Sequence, residues 1–417
     1  MKVFKFGGAS ISTAERIRNV GSIILSFSNG PVLVVVSALG KTTNALEEVV
    51  TAFYNNDSTK AFQVFATIKM DHTLLMKELC EEPAGGLEDL FTEVEWLLHD
   101  KPVRSFDYYY DQVVCVGELL SSCILSKYLN SAGIENEWID VRDIIRTDNN
   151  FRDAKIDWTF TKERVSRELP RVFSEKKVII TQGFIGATDE NESTTLGREG
   201  SDYTAAVFSN MLNAESQTIW KDVQGVMNAD PKLYPAAQWI KELNYREVIE
   251  MAYYGAQVIH PKTIKPLQNK NIPLFVKSFT DPKAEGTIIH DKNPGILPPI
   301  IVYKQNQALV QISSNDFSFT DEGLSVEVQK LFDSLKFRQN LTQITAISVL
   351  CVVDNHFEKL ERFALAASQA FDVAVTKDLV LLTIRHYTDD ILHHLLKDNT
   401  VLLRQQTPEL IQVVVKN

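Results

Sequence analysis

At 417 residues the chain is too long for one ordinary hydrophobic core, so two or three domains are expected. Its 44% hydrophobic and 23% charged residues are those of a globular protein, and a formal net charge of -11 argues against nucleic acid or an anionic membrane as main partner. Cys80, Cys115, Cys123 and Cys351 form no Cys-x-x-Cys pair, no apolar run approaches the ~20 residues of a bilayer span, and Met1–Phe6 meets Gly-Gly too early for a signal peptide. Free thiols in a reducing, cytoplasmic location are therefore expected.

The first 280 residues alternate short apolar runs with amphipathic segments, which predicts an α/β domain with a largely parallel sheet. Val3–Phe6, Val32–Val36, Val178–Thr181, Thr218–Trp220 and Leu274–Val276 are the strand candidates. Ile11–Phe27, Thr43–Tyr54, Ala61–Cys80, Leu87–His99 and Tyr110–Leu129 carry helical spacing. Ser12 followed by Glu15 fits a capping box just after Gly7-Gly8. The Pro/Gly/Lys/Asp mixture of Asp281–Pro299 marks a domain boundary. Beyond it, Ala308–Ile312, Ile344–Val353, Leu379–Ile384, Val401–Leu403 and Ile411–Val415 are strand-like. Ser325–Leu335, Glu358–Ala370 and Asp390–Leu396 are helix-like, giving small α+β modules.

Chemistry concentrates at strand ends. Lys5-Phe-Gly-Gly8 puts a cation beside two glycines and a helix start, a pattern suited to phosphate oxygens. Ser37-Ala-Leu-Gly-Lys-Thr-Thr-Asn44 places the hydroxyls of Ser37, Thr42 and Thr43 after the second strand. Glu118 sits in the apolar run VVCVGELLSSCIL, where a glutamate is costly unless paired, although a surface position at a helix end is the plainer reading. Thr195-Leu-Gly-Arg-Glu-Gly-Ser-Asp-Tyr-Thr-Ala-Ala206 reads as an anion-handling loop. Gly197 and Gly200 allow close backbone approach, Arg198 offers a planar fork, and Ser201 and Asp202 fit N-cap positions. No Lys-Ser or Lys-Thr closes it as a Walker loop. Trp220-Lys-Asp-Val-Gln-Gly-Val-Met-Asn-Ala-Asp-Pro-Lys232 begins at a strand end. It reads either as nucleotide contacts from Asp222 and Lys232 or as a solvated turn initiated by Asp-Pro.

Taken together, KFGG, SALGKTTN, GELLSS, TLGREGSDYTAA, WKDVQGVMNADPKLYP and GAQVIHPKTIKPLQNKNIP occur in the order shown by aspartokinases, and the resemblance covers essentially the whole chain. The chain resembles the monofunctional members of that family. The resemblance implies an amino-acid-kinase α/β/α sandwich over residues 1–285, an ACT-like module over 300–378 and a shortened second module over 379–417, without the last helix of a full βαββαβ unit. It implies ATP- and Mg²⁺-dependent phosphorylation of the L-aspartate side chain to 4-phospho-L-aspartate. By the same match Lys5 neutralises the transferring phosphoryl group and Asp202 positions reactants. Arg198 and Glu118 hold the carboxylate and ammonium of aspartate, and Ser37, Thr43 and Ser201 add hydroxyl contacts. Gly7, Gly8, Lys221, Asp222, Met227 and Lys232 fall where the family binds nucleotide.

Three positions depart from the family pattern. Lys221-Asp222 stands where Thr-Asp is usual, and Glu199 occupies a variable position between Arg198 and Gly200. Gln257 stands where a lysine is frequent, so that phosphate contact is absent or taken by nearby Lys262. The ACT resemblance implies a homodimer and a lysine or threonine effector bound near Ser334–Ile344, although NLTQITAIS departs from the usual lysine-site sequence. Two rival readings stay open: a kinase of the same fold acting on glutamate, acetylglutamate, carbamate or UMP, and a non-catalytic amino-acid sensor.

Overall fold

Val32–Val36 and Val178–Gln182 are buried along their whole length, as strands covered on both faces must be. In the computed structural model, which describes residues 1–27, 29–80, 86–314 and 322–416, they lie within an eight-stranded sheet. Its order is Glu242–Asn244, Thr287–His290, Leu274–Ser278, Ser216–Lys221, Lys2–Phe6, Val32–Val36, Val178–Gln182, Asn136–Ile139. Neighbours run parallel except Leu274–Ser278 with Thr287–His290. Parallel neighbours need crossovers, and helices supply them. All five predicted strands of this region are present.

Register decides where the motifs go. Phe6 lies opposite both Val36 and Trp220, and Val36 opposite Gln182. The segments that follow these residues therefore leave the sheet at one edge, the carboxyl edge where open α/β sheets take ligands. Around them packs a continuous core from Val3, Phe6, Val34, Leu46, Val114, Leu119 and Phe208.

Local chemistry differs from expectation at two helix starts. After Gly7 a short 3-10 turn, Gly8–Ile11, precedes the helix Ala14–Phe27. Thr13, rather than Ser12, caps it, its hydroxyl accepting from Arg16 N at 3.3 Å, because Ser12 donates back to Ala9 O at 2.9 Å. The predicted helix Tyr110–Leu129 is two helices, Phe106–Val114 and Val116–Ser131. Contrary to the reading from sequence, the combined stretch Phe106–Ser131 is long and apolar enough to cross a bilayer, but most of it is buried inside the protein.

The chain divides into two units, residues 1–226, 241–249 and 259–294 in the first, and 227–240, 250–258 and 295–417 in the second. The second unit is built on an antiparallel sheet ordered Gln339–Ile344, Ser348–Asp354, Ile300–Ser314, Phe371–Arg385, Leu410–Lys416, Thr400–Gln406. Glu322–Ser334 and Phe357–Ala367 are its first two helices, with Phe332 stacked on Phe363 at 4.2 Å. Asp389–Leu396 contributes Leu392 to a separate cluster with Ile384, Ile411 and Val413. The strand 300–314, helix, two strands, helix and strand 371–385 make one βαββαβ unit, and one helix and two strands follow. The boundary expected at 378/379 falls inside the continuous strand Phe371–Arg385. Its first half pairs with 309–314 and its second with 300–307, so two long strands are shared by both modules.

Candidate active site

The convergence set up by the register is realised in one cavity of about 420 Å³. Lys5, Ser37, Thr43, Glu118, Arg198, Ser201 and Asp202, the catalytic and acceptor-binding residues expected from sequence, all line it. A volume of this size is ordinary for a small-molecule site.

Lys5 reaches from its strand to Asp202 Oδ1, 2.8 Å from Nζ, with both side chains nearly buried. Asp202 lies in the first turn of the helix Gly200–Met211, close to backbone N–H groups without intrahelical acceptors. Neither Ser201 nor Asp202 is the N-cap expected from sequence. Glu199 takes that position with a left-handed φ of 54°, and Gly197 before it has φ 73°. Gly8 has no room for a side chain, because a Cβ there would stand 2.5 Å from Ala38 O. The first and second strand-end loops are therefore in backbone contact beside Lys5.

Glu118 is not at the surface. It is 3% exposed, on the helix Val116–Ser131. One oxygen, Oε1, accepts from Ala38 N at 3.2 Å, and Oε2 has no hydrogen-bond partner among the described residues. Burial pushes its carboxyl up to about 8, against the opposing pull of the Ala38 N–H and the Lys5 charge. A buried carboxylate oxygen without a donor is costly, and a cationic ligand would supply what it lacks. The same helix fixes Ser37, whose carbonyl accepts from Ser121 Oγ at 2.7 Å.

Several cavity residues escaped the sequence reading. Tyr110, Arg152, Phe184 and Thr195 line the cavity as well. Asp111 stands behind them, fully buried, accepting from Thr195 N at 2.8 Å, Thr195 Oγ1 at 2.7 Å and Arg152 N at 3.0 Å. Burial raises its carboxyl to about 6, opposed by those three hydrogen bonds. Asp111 and Glu118 are seven residues apart, and a carboxylate inside an aromatic and apolar helix was as strong a signal at 111 as at 118. Glu199, set aside as a variable position, also has a defined contact, since its Oε2 accepts from His260 N at 2.8 Å. Lys262 does not stand free to replace a phosphate contact. Its Nζ donates to Leu196 O at 2.9 Å and Asp153 Oδ1 at 3.1 Å, so it braces the Arg198 loop.

The residues expected to hold nucleotide are placed differently. Gly7 adjoins Lys5 Nζ, and Lys221 ends the strand Ser216–Lys221. The Asp222 carboxylate accepts from the Arg16 guanidinium, whose Nε also donates to Ala9 O at 2.6 Å. Met227, Lys232 and Gln257 belong to the second unit. Asp230 Oδ1 accepts from Lys232 N at 2.9 Å, the local signature of an Asp-Pro turn. Lys221, Asp222, Met227 and Lys232 do not line the 420 Å³ cavity. No group of three or more His, Cys, Asp or Glu suited to a metal occurs among the described residues.

Residues 1–278 match the model of the amino acid kinase family. The lysine-sensitive aspartokinase 3 of Escherichia coli K12 is 31% identical over 362 residues, 84% of this chain and 78% of that protein. The chloroplastic aspartokinase 2 of Arabidopsis thaliana is 32% identical over 84% of this chain and 66% of its own length. The solved structure of E. coli aspartokinase III with aspartate and ADP is similar over the whole chain and 96% of that protein, with a TM-score of 0.82 and 27% identity. The same values hold for its complex with lysine and aspartate. With a catalytic-unit cavity lined by the motifs in question, these similarities identify the chain as a member of the amino acid kinase family and, within it, of the aspartokinases.

Proposed function

We propose that the chain transfers the γ-phosphoryl group of MgATP to the side-chain carboxylate of L-aspartate. One observation carries this reading: a single cavity presents the unpartnered Glu118 oxygen, the Arg198 guanidinium and the Lys5–Asp202 pair. An amino acid needs a carboxylate for its ammonium group and a guanidinium for its α-carboxylate, and a transferring phosphoryl group needs a fixed cation. Glu118 and Arg198 orient aspartate, with Ser37, Thr43 and Ser201 supplying hydroxyls. The attacking carboxylate is ionised at neutral pH, so no base is required. Its oxygen forms a bond to the γ-phosphorus as the bond to the β-phosphate oxygen breaks, and ADP leaves with that electron pair. Lys5 offsets charge on the moving phosphoryl oxygens, and Asp202 holds Lys5 in place. Catalysis then rests on positioning and electrostatics.

Gly7, Gly8, Lys221 and Asp222 serve the nucleotide in this reading. Mg²⁺ travels on the phosphates, as it does where one or two carboxylates rather than a protein cage receive it. The four free cysteines fit a cytoplasmic location.

The second unit is read as an ACT-like regulatory domain that pairs between two copies and binds lysine, the ligand of the E. coli structure. Its sheet edge Gln339–Ile344 lies within the expected effector region, and Gln343 Oε1 is buried there without a partner among the described residues. A coupled ADP-release assay with aspartate, glutamate, acetylglutamate, carbamate and UMP tests the acceptor, repeated with millimolar lysine and threonine. Turnover with aspartate alone, depressed by lysine, is the expected result. Turnover only with another acceptor overturns the reading, as does no ADP release with any of them, the behaviour of a sensor.

A further inference from the structure

Arg198 is not the only guanidinium at this cavity. Arg152 lines it too, on the turn that follows the 3-10 segment Val141–Asp143, and it does so in a conformation that side-chain-bearing residues avoid, with φ 69°. Such a backbone persists only where its surroundings impose it, and such residues concentrate at ligand sites. Here the imposing group is Asp111, which is completely buried and accepts the Arg152 N–H at 3.0 Å while its other bonds secure Thr195.

The turn is also fastened to the loop that carries Arg198. Gly197 lies so close that a Cβ would stand 2.7 Å from Asp153 Oδ1 and 3.2 Å from Arg152 O. Lys262 Nζ ties the two segments together through Asp153 Oδ1 and Leu196 O. The two arginine-bearing segments are thus one braced assembly. The Arg152 side chain lies over the Tyr110 ring, 4.4 Å from guanidinium to centroid, and its Nη1 donates to Asp107 Oδ1 at 3.2 Å. Both of those partners leave donors of a five-donor fork unused. Arg152 is 43% exposed at its side chain and Asp107 56%, so the ion pair is solvent-screened and easily exchanged for a stronger carboxylate.

We infer that Arg152 is a specificity-determining residue of the acceptor site, a second guanidinium that receives a carboxylate of the dicarboxylic amino acid together with Arg198, and that Asp111 is the positioning residue that places it. The inference rests on the acceptor reading above. With Lys5 paired to Asp202, the Arg152 and Arg198 guanidinium groups and the Glu118 carboxylate match an acceptor with two carboxylates and one ammonium group. A monocarboxylic amino acid would engage only one of the two guanidinium groups.

The test is steady-state kinetics of Arg152→Gln, Arg152→Lys and Asp107→Asn, with aspartate binding measured by calorimetry and folding by Tm. Arg152→Gln keeps an uncharged polar stem at a partly exposed position, so its Tm stays close to wild type. Its KM for aspartate is expected to rise about tenfold while the KM for ATP shifts less than about twofold, the size of one partly exposed charge-assisted contact. Arg152→Lys recovers only part of that loss, because a point charge lacks the fork. Asp107→Asn leaves the KM for aspartate at or below the wild-type value, since it frees the guanidinium. Asp111→Asn, which keeps one acceptor oxygen, raises the KM for aspartate in the same direction as Arg152→Gln. A rise in the KM for ATP instead, an unchanged KM for aspartate, or an Asp107→Asn variant that mimics Arg152→Gln overturns the inference. Wild-type turnover with aspartate, read in the same assay, tests the function itself. The calorimetric comparison of wild type with Arg152→Gln tests Arg152 whether or not turnover is seen.

Discussion

Replacing Lys5 with Met lowers kcat by about a thousandfold, with smaller changes in the KM values for aspartate and ATP. The magnitude is that of removing a fixed charge aimed at a phosphoryl group in transit. Methionine keeps most of the stem, so the change isolates the charge. Asp202 complicates the readout, because Lys5 Nζ lies 2.8 Å from it and its side chain is 6% exposed. Removing the lysine strands a buried carboxylate, and single-partner removal of this kind is strongly destabilising. The Lys5→Met, Asp202→Asn double variant separates the two effects. It is expected to regain most of the lost Tm and none of the lost rate. Recovery of rate along with Tm shows that Lys5 acts through folding rather than through the phosphoryl group. Kinetics of the single and double variants, with thermal melts of each, decide between them.

Glu118→Gln raises the KM for aspartate by about a hundredfold at pH 8 to 9, in the range for losing one member of a desolvated charge pair. The pH dependence gives the sharper signature. Without ligand the Glu118 carboxyl titrates near 8, raised chiefly by burial. Only the ionised form receives an ammonium group, so kcat/KM for aspartate climbs as pH rises towards 8, and aspartate binding releases a proton below that pH. In the Gln variant this dependence on Glu118 is absent. Stability moves in the opposite sense. The folded value lies above the unfolded value of about 4.3, so the folded state binds more protons between the two. Stability from this group is therefore present below about 4.3 and is lost progressively as pH rises to about 8. Glu118→Gln, which removes the buried charge, is expected to melt higher than wild type at pH 8 to 9 while binding aspartate less well. Such a trade of stability for binding is the usual cost of an active-site charge. A variant with lower Tm and unchanged KM assigns Glu118 a purely structural part.

Much of this site was legible because it sits at strand ends. Continuous apolar runs such as Val32–Val36 mark buried parallel strands, and the polar loops after them are then forced onto one sheet edge. Lys5, Ser37 and Thr43 follow from that rule, while Arg198, Ser201 and Asp202 follow from their motif alone, since the strand before them, Ser193–Thr195, lies in a separate two-stranded sheet. What stayed hidden has particular causes. Asn136–Ile139 is a short polar edge strand next to Val178–Gln182, without an apolar run to announce it. The first half of Phe371–Arg385, FDVAVTKD, alternates half-buried and exposed side chains without a continuous apolar run, and only the apolar half from Leu379 was picked out as a strand. The break near Cys115 carries no proline, Gly117 falls inside the second helix rather than at the break, and Cys115 itself keeps a right-handed helical backbone. Asp111 and Arg152 were missed because their role depends on Thr195 and Gly197, which lie more than 40 residues away in sequence. Ser201 and Asp202 were assigned to the cap because they are favoured there. The left-handed Glu199 caps the helix two residues before Ser201 and places both in its first turn.

The most direct test of the central claim is to trap the product. An acyl phosphate on a carboxylate reacts with hydroxylamine to give a hydroxamate, whereas a phosphate ester does not. Purified protein incubated with MgATP, L-aspartate and hydroxylamine is expected to form aspartyl hydroxamate in step with ADP. The yield should fall to background in Lys5→Met. ADP release with aspartate but no hydroxamate, or hydroxamate formed from glutamate and not from aspartate, contradicts the account.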